Sequence, residues 1–408
     1  MTHLGRQFTL LIATVFSVVW SVGCRPDKTS DAAVLKVGVI ASLSGPGEAW
    51  GRMTLSAAEV VAEYYNKRGG FEIDGQRYSI ELIPIDDKLE PDLAVDAAQR
   101  LVFEEDVGFI IGPLGDDAVV AVAPILDVAK VVYLHYGFDP DLLRENSSGI
   151  LGMPVPQQTL PIIFDYLQDR KGVKSLSIIA RDSREGIHQK LIAEKLARAR
   201  GFEIINFSEF DVIEETLDFS RVPDGVTEPI LKVLEMNPDA VLLVGVPPDH
   251  LTRAVEAFRN AGYNKPLVTQ NNQDVNLLMS IGQAAEGLIF VGGELPEVKR
   301  TVYFQQLKER YMQRFDSSST EAAINFYALE SILQFVRHIG GPDALKGVDL
   351  IEAMNTFEFV DPFFNDNRKV RLVGDTTFLV RRQLSTPIII SEIIGGLSQT
   401  VVVANLPE

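Results

Sequence analysis

The residues able to do chemistry in this 408-residue chain are numerous in one class and scarce in the others. There are 56 acidic side chains, 38 Lys and Arg, five His and a single Cys. Adjacent carboxylates occur at Asp86-Asp87, Asp116-Asp117 and Glu214-Glu215. A close pair can divide acid and base roles between its members, but so acidic a chain produces such neighbours by composition alone. His3, His135, His188, His250 and His338 are scattered, none at the H-x-x-x-H or H-x-x-H spacing that puts two imidazoles on one metal. One Cys, Cys24, closes no internal disulfide and builds no cysteine-rich metal site. No G-x-G-x-x-G, G-x-x-x-x-G-K-[ST] or G-x-S-x-G follows a strand, so dinucleotide, nucleotide and hydrolase-elbow chemistries lack support. No catalytic residue, metal or cofactor is expected, and an enzyme is unsupported. A net charge of −18 also repels phosphate backbones and anionic lipid heads, so no nucleic-acid partner is expected.

With 46% hydrophobic residues, the chain has enough apolar material for a full core, and its length exceeds one ordinary domain. Phe8–Gly23 is apolar throughout, too short to span a bilayer and suited to the apolar core of a signal peptide. It runs into Ser21-Val22-Gly23-Cys24, which resembles a bacterial lipobox, with Ser21 where an aliphatic residue is usual. The resemblance implies cleavage before a lipidated Cys24, residues 1–23 being the signal peptide and 24–33 a polar tether. A plain secretory signal would equally export the chain to the periplasm or cell surface.

Beyond the tether, short β-rich runs alternate with helical ones. Leu35–Ile40, Tyr78–Ile85, Gly108–Ile111 and Val131–Leu134 read as strands, separated by helices over Met53–Asn66, Ala94–Phe103 and Asp116–Ala129. The rhythm resumes with strands at Ser175–Ala180, Ala240–Val246, Pro266–Thr269 and Gly287–Val291. Helices at Gln189–Arg200, Pro229–Glu235 and Leu251–Ala261 lie between them. Residues 300–340 read as largely helical and 376–403 as strands. The alternation predicts an α/β fold, and so many strands exceed one comfortable layer, so two parallel sheets are expected.

Leu35–Gly51 (LKVGVIASLSGPGEAWG) is similar to the opening of the type I periplasmic binding proteins, in particular the leucine/isoleucine/valine-binding family of ABC importers. Matches continue in order through Tyr65–Gly70, Asp86-Asp87 with Pro91, Ile111-Gly112-Pro113, Ala284–Leu288 and the helix around Ala322–Ala328. The resemblance implies two Rossmann-like lobes joined by three crossings, expected near Leu151–Pro154, Val291–Glu294 and Pro362–Asn365. The first lobe would then hold 34–151 and 294–362, the second 152–293 and 363–408. A small solute would bind in the interlobe cleft, and a monomer would deliver it to permease subunits, touching the membrane only through its lipid. A sensor of the same fold acting on a signalling partner is the alternative.

The same resemblance nominates site residues. Ser44 and Trp50 lie in and after the first loop, and the Trp50 ring is either a cleft wall or core. Asp116 and Asp117 stand where amino-acid binders offer a hydroxyl and a helix N-terminus to a ligand carboxylate. A carboxylate there either caps the helix and turns away or receives a cationic or hydrogen-bond-donating group. Tyr136 and Phe138 would sandwich a flat or apolar solute, or pack internally. Arg184 would grip a ligand carboxylate or remain a solvated loop charge. Gln270 and Asn271 fall where the family often has a Glu, and Pro247 with Asp249 would complete the rim. Each departure moves away from a plain zwitterionic amino acid, which leaves as the solute an amide, a related organic acid with an aromatic or aliphatic body, a polar amine or an unusual amino acid.

Overall fold

The computed structural model describes residues 33–45, 47–205, 216–217, 228–273, 275–293, 300–315 and 322–406. The signal segment, Cys24, nearly all of the tether, Glu214-Glu215 and Glu294 therefore lie outside the described residues, as does the side chain of Asp249.

In chain order the elements begin with β1 (Ala33–Ala41), α1 (Glu48–Asn66), β2 (Phe71–Ile73), β3 (Gln76–Asp86) and α2 (Pro91–Phe103). Then come β4 (Phe109–Leu114), α3 (Asp116–Ala129), β5 (Val132–Tyr136) and β6 (Gly149–Leu151). The next group is α4 (Pro156–Lys171), β7 (Ser175–Arg181), α5 (Arg184–Ala199), β8 (Glu203–Ile204), β9 (Thr216–Leu217) and α6 (Glu228–Met236). It continues with β10 (Ala240–Val244), α7 (Pro248–Asn260), β11 (Leu267–Asn272), α8 (Val275–Ser280) and β12 (Leu288–Val291). The last are α9 (Val302–Phe315), α10 (Ala322–His338), α11 (Leu350–Asn355), β13 (Glu358–Val360), β14 (Lys369–Val373), α12 (Asp375–Phe378), β15 (Gln383–Leu384), β16 (Ile388–Ile394) and β17 (Leu397–Ala404).

Two sheets result. The first has the order β13-β14-β15-β6-β5-β4-β1-β3-β2, and the second β17-β16-β12-β11-β10-β7-β8, with β9 beside β7. The central strands are parallel, as in β1 against β3 and β4, and β10 against β7 and β11. β1 is buried without a break from Val37 to Ala41, the mark of a strand covered on both faces. On one face of the first sheet the core gathers Val37, Val39, Ala57, Val61, Phe326 and Leu333; on the other it gathers Ile40, Ala97, Leu101, Val119 and Leu126. The second sheet has a similar pair of cores, around Leu251, Phe258 and Phe290 and around Phe164, Ile178 and Leu242. Each large apolar side chain so buried contributes about 1.5–3 kcal/mol.

Each lobe presses one helix onto the end of its strand through a glycine. A Cβ on Gly51, in the first turn of α1, would fall 1.9 Å from the Ser42 carbonyl oxygen that follows β1. A Cβ on Gly186, in the first turn of α5, would fall 2.2 Å from the Arg181 carbonyl oxygen that ends β7. These contacts bring Trp50 and Glu185 to the mouths of their sheets.

The chain passes from the first sheet to the second through 152–155 and returns after β12. The third crossing differs from expectation. Residues 361–368 form the turn of an antiparallel pair, β13 with β14, inside the first sheet. β15 then joins the same sheet beside β6, and only residues 385–387 lead to β16. Residues 363–384 thus belong to the first lobe, because Phe363, Phe364, Val370, Leu372 and Leu384 complete its core.

Candidate ligand-binding site

A cleft of about 1100 Å³, its open mouth included, lies between the lobes where the strands of both sheets end at their carboxyl side. The first lobe contributes Ile40, Trp50, Met53, Leu114, Tyr136 and Phe138; the second contributes Arg181, Glu185, Gly245, Gln270, Asn271 and Asn272. All three crossings reach it, through Met153 and Pro154, through Val291, and through Pro387. Most of the wall is apolar. Its charged groups are Arg181 and Glu185 alone among the described residues.

Trp50, at the start of α1, spans the gap: its indole Nε1 donates to the Asn272 carbonyl oxygen of the other lobe at 3.3 Å. At the outer rim, Arg184 Nη1 donates to Asp117 Oδ1 at 2.6 Å, again from lobe to lobe. Both partners of that rim pair are exposed. The lobes are therefore in contact across the cleft.

Of the nominated residues, Trp50, Tyr136, Phe138, Gln270 and Asn271 line the cleft together. The others do not. Ser44 turns to Asp86: its Oγ donates at 2.6 Å and its backbone N–H at 3.3 Å. Burial alone would raise the Asp86 carboxyl, but these bonds and those from Lys88 and Leu43 leave it below the usual range. Asp116 faces neither the solvent as a cap nor the cleft. Its Oδ1 accepts from the backbone N–H groups of Phe138 and Asp139, fixing the loop that carries Phe138. The cap position of α3 is Gly115. Asp117 and Arg184 are engaged with each other outside the cleft wall. Pro247 is buried at the start of α7, and Gly245 takes its place in the wall.

Sequence reasoning missed Arg181, Glu185, Asn272, Thr54 and Asn325. The last residue of a strand, as Arg181 is in β7, sits where ligands bind in parallel sheets, and that rule was available. Among the described residues no carboxylate stands within ion-pair distance of the Arg181 guanidinium. Glu185 is pushed up to about 8 by burial, then by the charge of Asp116. The Tyr136 phenol is raised far above its usual range by burial.

Three polar atoms of the cleft residues are buried without a hydrogen-bond partner: Tyr136 Oη, Gln270 Oε1 and Asn272 Oδ1. Thr54, whose hydroxyl reaches Asn325 Oδ1 at 3.2 Å, is the polar neighbour of Tyr136. Leaving such an atom unsatisfied costs about 1–3 kcal/mol, so three of them on residues lining one cavity single it out as the candidate site. Behind the rim, Asp116, Asp139 and His188 bring ligand-type atoms within 4.8 Å of one another, from three elements that no local spacing connects. Asp116 Oδ1 already serves two backbone N–H groups, so this cluster reads as part of the lobe contact.

The chain is similar to known proteins along most of its length. BraC3 of Rhizobium johnstonii, a Leu/Ile/Val-binding protein, is 30% identical over 120 residues, 29% of this chain and 31% of that protein. The chain spans between about 31% and 39% of the first curated relatives it matches. The leucine-binding protein LivK of Thermotoga maritima superposes with a TM-score of 0.71 at 18% identity, covering 91% of this chain and 99% of that one. A solute-binding protein of an ABC transporter from R. palustris, solved with benzoate, gives 0.74 at 17% identity, covering 92% and 98%. The profile of the family described as periplasmic binding protein matches residues 34–395. No helix among the described residues is long and apolar enough to cross a membrane. Two lobes, three crossings, a solute-sized cleft and that match agree, and the chain belongs to the periplasmic binding protein family.

Proposed function

We propose that this protein is a monomeric extracytoplasmic lipoprotein, anchored through Cys24, that captures a small organic acid or amino acid and delivers it to an ABC permease. The observation that carries the reading is the set of orphaned polar atoms, Tyr136 Oη from one lobe and Gln270 Oε1 and Asn272 Oδ1 from the other, around an apolar cavity. The unpaired Arg181 guanidinium suits a carboxylate, which it can hold through two parallel hydrogen bonds. Trp50, Met53, Leu114 and Phe138 suit an aliphatic or aromatic body. The leucine-binding and benzoate-bound relatives fall on either side of that choice and support a carboxylate with an apolar body. Capture has to favour the closed form, since differential affinity for that form is the only energy available to drive closure.

The test is calorimetry on the mature chain with leucine, benzoate, aromatic hydroxy acids, amides and polyamines, read in parallel by Trp50 emission. Carboxylates are expected to bind and to change the emission, and Arg181→Met to weaken them about tenfold or more. Tight binding of a polyamine, with no carboxylate bound, would overturn the reading.

A further inference from the structure

We propose that Glu185 and Gln189 are positioning residues that set the hydrogen-bond polarity of Gln270, so that the cleft selects solutes presenting an N–H or O–H donor to the second lobe. The proposal rests on the cleft being the solute site.

Glu185 and Gln189 lie four residues apart on α5, on one helix face. Gln189 Nε2 donates to Glu185 Oε1 at 3.1 Å. Gln270 Nε2, from the end of β11, donates to Gln189 Oε1 at 2.7 Å. Gln189 and Gln270 are buried, with exposures of 0% and 4%. A side-chain amide has one donating nitrogen and one accepting oxygen. A first link that only accepts therefore turns each following amide the same way, nitrogen toward Glu185 and oxygen away. When the carboxyl carries its proton on Oε2, Oε1 remains a carbonyl acceptor, weaker than the carboxylate, so the order persists in the neutral form and is strongest in the charged one. The chain ends on Gln270 Oε1, buried in the cleft with no donor.

The neighbouring amides sharpen the selection. Asn271 Oδ1 is used internally, accepting from the Gly245 N–H at 3.1 Å. Asn272 Oδ1 is left as a second buried acceptor. A solute carbonyl placed here would set oxygen against oxygen, while a hydroxyl or amine would satisfy the site. Sites built around a hydrogen bond reject analogues that cannot make it far more strongly than apolar pockets reject a missing methylene.

The experiment measures Kd for matched solutes on the mature wild-type chain, E185Q and Q189M. The ring pair is 4-hydroxybenzoate against 4-formylbenzoate. The aliphatic set is leucine and 2-hydroxy-4-methylpentanoate against 4-methyl-2-oxopentanoate. The donor-bearing member of whichever set binds is expected to be about tenfold or more tighter in the wild type. E185Q lets the first link run either way and Q189M cuts the relay, so each should bring the ratio within about threefold. A merely structural role for either residue would weaken both members and leave the ratio as it was, which would overturn the proposal. Equal or tighter wild-type binding of the carbonyl member would overturn it too, and that measurement decides alone if both variants fail to fold. Binding by none of the five solutes would instead remove the organic-acid reading beneath it.

Discussion

Tyr136 illustrates how a residue proposed to bind solute and one that only supports the fold differ in sign. Its hydroxyl is buried against the Thr54 side chain without a well-formed hydrogen bond. Removing an unsatisfied group relieves desolvation, so Tyr136→Phe should stabilise the unliganded protein by about 1 kcal/mol in urea titrations. The same variant should bind solute less tightly by calorimetry. A loss of unliganded stability would mean that the hydroxyl is satisfied and structural. Trp50 and Tyr136 were visible in the sequence because aromatic residues after strand ends stand out. Arg184 is nominated by the family resemblance, but the chain has entered α5 there and the side chain meets Asp117 at the rim. Ser44 and Asp116 were misread for another cause. Each is a short polar side chain in a turn, and such groups commonly bond to nearby backbone or to other turn residues, a competition that no spacing reveals. The relay through Gln189 was invisible because Gln189 and Gln270 are 81 residues apart.

Among the elements, the parallel core strands and amphipathic helices were legible from their periodicity, and α3 has the bounds the sequence predicts. α4 was not, since Pro156 and Pro161 read as breakers and its buried face includes Gln158 and Thr159. β13 and β14 were missed because they are short antiparallel strands with alternating exposed Glu358, Lys369 and Arg371, so they lack the unbroken apolar run of a central strand. That omission moved the third crossing by some twenty residues. The α1–β1 junction makes the prediction at this scale. Gly51→Ala should cost about 3 kcal/mol in chemical denaturation, since backbone rather than a pliable side chain opposes the methyl group. It should also shift the emission of unliganded Trp50. Unchanged stability would show that α1 can lift away freely.

For the molecule as a whole, closure sets Glu185 of one lobe against Asp116 and Asp117 of the other, with Arg181 opposing Glu185 and Arg184 paired to Asp117. Burial and those charges raise the Glu185 carboxyl to about 8, so the folded form holds a proton that the unfolded chain releases near 4.5. Stability from this group is complete below 4.5 and is lost as pH rises through 8. His135 works in reverse at lower pH: burial drops it to about 3, so folding disfavours its protonation below 6.5. Above 6.5 His135 is neutral in both states, and Glu185 acts with little opposition. Melting temperature should therefore fall between about pH 6.5 and 8 in the wild type and less steeply in E185Q; parallel slopes would mean that Glu185 ionises normally.

The cleft wall includes Met153, Pro154 and Pro387 from the crossings themselves. A guest in this cleft would therefore reach the axle of the jaws and not only their tips. Near a pivot, a small increase in guest thickness becomes a large angular gap at the far edges. A solute one methylene too bulky would then be admitted and still hold the lobes ajar, so the size of a guest would be translated into an angle between them.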